Sequence, residues 1–137
     1  MSETRGAPAF PGIARVTFII HFIVALVIGV LLLFIPATFG GWFGYPEIPD
    51  LIPVIRALGA ILLGLGAGTS LCGIFASRWE SVEYVVRGEI AYLALQTIVF
   101  VVSAIIGSGP LIGNIVFAVI SVILLVLFII SWVSRPR

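Results

Sequence analysis

Four long apolar runs, parted by short polar punctuation, organise this 137-residue chain. A helix needs about 20 apolar residues to cross the hydrocarbon core of a bilayer. Four stretches meet that length: residues 14–34, 51–75, 85–106 and 111–132. Pro36 disfavours helix at Ile35 and so closes the first run. Asp50 is placed to cap the second, and Pro53 fits its first turn, where a missing N–H matters little. The third stops at Gly107, Ser108, Gly109 and Pro110. A transmembrane barrel would show short segments of alternating polarity instead. The pattern therefore predicts an all-α polytopic membrane protein, an antiparallel four-transmembrane-helix bundle forming one domain over residues 1–137, with no internal repeat or linker.

Composition agrees. The chain is 61% hydrophobic and 9% charged, whereas soluble domains are about a quarter charged. A small soluble fold buries only part of its surface, so the solvent for these runs is expected to be lipid. The first run exceeds the roughly 7–15 residues of a signal-peptide core. Residues 35–39 also lack a small-residue cleavage pattern, so a retained signal-anchor helix is expected.

Charge adds an orientation. All seven basic residues are arginines. Arg5 and Arg15 precede the first run, Arg78 and Arg87 lie between the second and third, and Arg135 and Arg137 follow the fourth. By the positive-inside rule this predicts an N-in/C-in protein of the cell membrane, with the middle connection cytoplasmic. Arg56, near the start of the second run, falls on the outer side with Glu47 and Asp50, the only acids there. These three are expected to form an outer salt bridge or an anion contact. Residues 36–50 carry Phe39, Trp42, Phe43 and Tyr45 among glycines and prolines, and read as a loop at the outer interface. Trp79, Tyr84 and Trp132 form the matching inner belt.

Polar groups inside the runs are the functional pointers, because lipid solvates them poorly. Glu89, Tyr92, Gln96 and Ser103 share one helical face. His21, with Thr17 four residues before it, lies at comparable depth on the first helix. The expected cluster is His21, Glu89, Tyr92 and Gln96, either a small polar chamber or a set of interhelical hydrogen bonds. On the second helix Ala60, Gly64 and Gly68, with Cys72, recur every four residues as a packing face, and Gly59, Gly66, Ser70 and Gly73 add further small residues. Ala25 and Gly29 offer a weaker small face on the first helix. The fourth helix is almost wholly aliphatic and is expected to face lipid.

No metal motif and no cofactor motif is present. Lysine is absent, which removes a P-loop. Ser70, Ser103 and Ser121 would meet His21 only through the tertiary fold, and no acid is expected at that depth to complete a triad. Helix breaks of the transporter kind are not evident within the runs. A net charge of +1 points to no nucleic-acid partner. The expected partners are the lipid bilayer and a second copy or a membrane complex.

The stretch Val54-Ile55-Arg56-Ala57-Leu58-Gly59-Ala60-Ile61-Leu62-Leu63-Gly64-Leu65-Gly66 resembles the R-x-x-G-x-x-L-L-x-x-G helix of DoxX-like small four-helix membrane proteins. The resemblance covers one helix of four and implies a compact antiparallel bundle, sometimes accessory to redox or respiratory complexes. It carries no site residue. Three functions stay open from sequence: a non-enzymatic accessory, assembly or structural element of a membrane complex; a small oligomeric transporter or channel; and a membrane enzyme or lipid- or quinone-binding protein with its pocket between the first three helices.

Overall fold

The computed structural model of the chain describes residues 10–136. Arg5 and Arg137 of the charge pattern lie outside that range. Among the described residues the fold is all-helical, with no strand. Four helices are long and apolar enough to cross a membrane.

Helix α1, Gly12–Phe34, ends where Pro36 predicts. The segment expected as a loop instead starts with a short helix, α2, Pro36–Trp42. Pro36 at its first position has the fixed φ a helix start favours. A 3-10 turn, Pro49–Leu51, then leads into α3, Ile52–Ile61. Pro53 sits in the first turn as expected, but Asp50 makes no capping hydrogen bond. The same span continues through a π-helical stretch, Leu62–Ala67, into α4, Gly68–Ile74. A second 3-10 turn, Trp79–Ser81, precedes α5, Glu83–Ile106. Gly107 closes α5 in the left-handed region at φ +69°, and α6 runs Leu111–Val133.

The π stretch corrects the expectation of unbroken spans. Its sequence, LLGLGA, has two glycines, which resist unwinding least. In lipid a loosened carbonyl still needs a partner. Two hydroxyls just beyond the stretch provide it: Thr69 donates to the Leu65 carbonyl, and Ser70 donates to the Gly66 carbonyl at 2.7 Å.

Helix α1 lies at the centre. It packs along the second span on one side and against α6 on the other, while α5 packs on α6. No extensive contact joins the second span to α5. The four long helices therefore form a curved row, with a seam between its two ends.

Close approach of α1 and the second span depends on glycine. A Cβ on Gly59 would stand 2.7 Å from the Leu33 backbone nitrogen, and one on Gly66 would stand 2.9 Å from the Ala25 Cβ. One on Gly73 would overlap the Phe18 ring. The tight face is thus Gly59, Gly66, Ser70 and Gly73, meeting Ala25 and Gly29. The Ala60–Gly64–Gly68 row turns away from it: Ala60 and Gly64 are exposed, Gly68 is half-buried, and nothing lies within 4 Å of a Cβ built on Gly64. Both rows are equally small in sequence. The bulky partner surface of α1, Phe18 above all, selects the row beside the predicted one.

The fourth helix also departs from expectation. α6 buries Gly113, Asn114, Ser121, Leu124, Phe128 and Ser131, whereas α5 buries only Val86 and Leu93. Its place between α1 and α5 requires this. Ser131 and Thr17 hydroxyls bond across the α1–α6 contact at 2.9 Å. At the same end Trp79 stacks on Phe10 and packs against Trp132, whose ring also carries the Arg87 and Arg135 guanidinium groups. Arg15 donates to the Ala76 carbonyl there at 3.0 Å.

Candidate functional site

The fold brings the predicted polar cluster together around one imidazole. His21, on the inward face of α1, is almost completely buried. Its Nδ1 lies 2.8 Å from the Ser70 hydroxyl, and its Nε2 lies 3.5 Å from Glu89 Oε2 on α5. The Phe128 ring meets the imidazole edge-on at 5.3 Å. Four elements thus hold the ring: its own helix, the second span, α5 and α6.

Hydrogen-bond bookkeeping defines its protons. Ser70 has one hydrogen and gives it to the Gly66 carbonyl. Toward His21 the hydroxyl therefore accepts, which puts a proton on Nδ1. Nε2 then faces the Glu89 carboxyl at 3.5 Å across the seam. With one proton between them, as imidazolium–carboxylate or as imidazole–carboxylic acid, the couple has no net charge.

Glu89 supplies the acid that was not expected at that depth to complete a triad. A Ser–His–Glu series is present, but its order does not suit nucleophilic attack. Ser70 is completely buried, spends its hydrogen on the backbone, and lines neither neighbouring cavity. Its role is to orient the ring. Among the described residues no three His, Cys, Asp or Glu side chains converge as a metal site.

Two cavities meet at His21. The larger, about 510 Å³, runs from His21, Tyr92 and Gln96 to Tyr45, Ile48 and Leu51 at the opposite end of the bundle. Its walls are otherwise almost wholly apolar, with Leu58, Ile61 and Leu62 on one side and Phe100 and Phe117 on the other. The smaller, about 320 Å³, lies between Thr69 and Glu89 and shares Ile61, Leu62 and Tyr92 with the larger. Both occupy the seam between the second span and α5. Exposed Leu58 and Ile61 and half-exposed Tyr92 stand at its lips.

The far end of the larger cavity is lined by the segment after α2. The Tyr45 ring lies against Gly113, where a Cβ would collide with it. Its hydroxyl donates to Asn114 Oδ1 at 3.3 Å, and Asn114 Nδ2 donates to the Ser108 carbonyl at 2.8 Å. Burial raises the pKa of the Tyr45 phenol above its ordinary value, so the ring stays neutral there.

The other predicted site does not assemble. Arg56, Glu47 and Asp50 are all exposed. Among the described residues the ion pairs are His21–Glu89 and Glu83–Arg87, so the outer salt bridge is not made. Asp50 lies in the 3-10 turn before α3, and Arg56 lies more than one turn inside α3. Ser103, the last member of the α5 stripe, lines neither cavity. Sequence reasoning passed over Thr69, and it counted Ser70 only among three serines that could meet His21 through the tertiary fold. Their signal was a Thr-Ser pair directly after a glycine-rich run within a span.

Comparison of the chain with family models, with curated proteins and with solved structures finds no match in any of the three.

Proposed function

We propose that this chain is a non-enzymatic protein of the cell membrane that holds a lipid-like amphiphile between its second and third spans. In this reading it is an antiparallel bundle with both termini cytoplasmic, as the arginine pattern indicates. The single observation that carries the binding reading is the seam cavity of about 510 Å³, apolar along most of its length, with His21, Tyr92 and Gln96 converging at one end. Binding sites for small molecules have this volume and this sparse placement of polar groups. The accessory role implied by the DoxX-like resemblance suits such a holder, which would present or store a membrane-soluble molecule for a partner complex.

The test is native mass spectrometry of the full chain released from mild detergent. The expected result is an adduct of lipid-like mass at about one per chain. Ile61→Trp should abolish it, because Ile61 lines both cavities and its exposed side chain leaves the packing free to accept a larger ring. A chain that carries no adduct and takes up none from added bilayer extract would overturn the reading.

A further inference from the structure

The lining specifies the head of the occupant as well as its tail. We infer that the molecule held in the seam carries an uncharged hydrogen-bonding head group, a carbonyl or a hydroxyl, seated against Gln96 and Tyr92. This rests on the amphiphile reading above and names the chemical class within it.

The first ground is unmet hydrogen bonding. Gln96 and Tyr92 project from α5 into the larger cavity. Among the described residues neither side chain hydrogen-bonds to protein, while the hydroxyls of Thr17, Thr69, Ser70, Thr97, Ser121 and Ser131 all do. An amide without a partner is costly in an apolar medium. The Gln96 amide offers two donors and an acceptor, and the Tyr92 hydroxyl offers one of each. A carbonyl oxygen can take donors from both. A hydroxyl can take one and return one.

The second ground is charge. No arginine lines the larger cavity; Arg56 neighbours Ile55, which does, but is itself exposed and outside the lining. The charged and titratable groups facing the polar end are His21 from α1 and Glu89 and Tyr92 from α5, with only Ser70 from the second span and Phe128 from α6. An imidazolium at His21 would already have the Glu89 carboxylate as its counter-charge at 3.5 Å. A carboxylate or phosphate would therefore enter with no cation to meet it. An ammonium group would find the one carboxyl already engaged and lining the smaller cavity instead. Burying an uncompensated ion is heavily disfavoured.

The experiment uses the full chain in nanodiscs and a tritiated panel of equal chain length: a long-chain alcohol, a ketone, a carboxylate, a phosphate ester and an alkylammonium. The alcohol and ketone should bind at least about 100-fold more tightly than any charged member. Gln96→Leu should weaken the neutral ligands about 10-fold, and isosteric Tyr92→Phe by a smaller factor. Both changes make α5 more apolar, so loss of folding does not confuse the result. A charged member that binds as well as the alcohol would overturn the head-group inference and leave the amphiphile reading standing. Unchanged alcohol binding in Gln96→Leu would overturn the placement of the head. Failure of every member to bind in a manner sensitive to Ile61→Trp would overturn the amphiphile reading itself.

Discussion

Ser70 shows how much a single hydroxyl can determine in a membrane interior. It satisfies a carbonyl of the π stretch and holds the His21 ring, both within hydrogen-bond distance. Ser70→Ala leaves two buried groups unpaired and should cost about 1–3 kcal/mol, read as a lowered unfolding midpoint in micelles. Ser103→Ala is the control; it makes no side-chain hydrogen bond among the described residues and should leave the midpoint unchanged. At this scale the cluster of His21, Glu89, Tyr92 and Gln96 was legible, because helical spacing and depth are read directly from sequence. The Ser70 partner was not. Its bond to His21 spans 49 positions, and which turn of the second span faces α1 depends on packing that no local pattern encodes.

The second span is the element where pattern and packing part company. Two rows of small residues run along it, and only contact with Phe18, Ala25 and Gly29 distinguishes them. Gly73→Ala should destabilise by about 1–3 kcal/mol through overpacking against Phe18. Gly64→Ala and Gly88→Ala meet no atom within 4 Å and should be neutral or slightly stabilising in the same denaturation assay. The reverse ranking would mean that the Ala60–Gly64–Gly68 row packs after all. Span existence and limits came through from sequence almost intact, because length and apolarity are set by the hydrocarbon thickness. The π stretch did not. Two glycines permit a wide turn without requiring one, and only the hydroxyls of Thr69 and Ser70 mark where its carbonyls are met. The same limit explains α6, whose aliphatic sequence suits lipid and core equally until its neighbours are known.

At the scale of the whole molecule, the arginine pattern makes a claim that labelling can check. In a Cys72→Ala background, a cysteine at Gly41 should react only with a reagent outside the cell, and one at Ser81 only after the inner face is opened. Both positions are exposed in the fold. The opposite pattern would invert the topology. The seam between the second span and α5 has a consequence of a different kind. A pocket that opens sideways into a bilayer is never empty of rivals, because acyl chains surround it at the concentration of a solvent. Lipid tails are as apolar as the leucines and isoleucines that line it, so exchanging one tail for another gains almost nothing. Occupancy is then counted as mole fraction of the membrane rather than as molarity, and any preference among occupants falls to the few polar atoms at the His21 end.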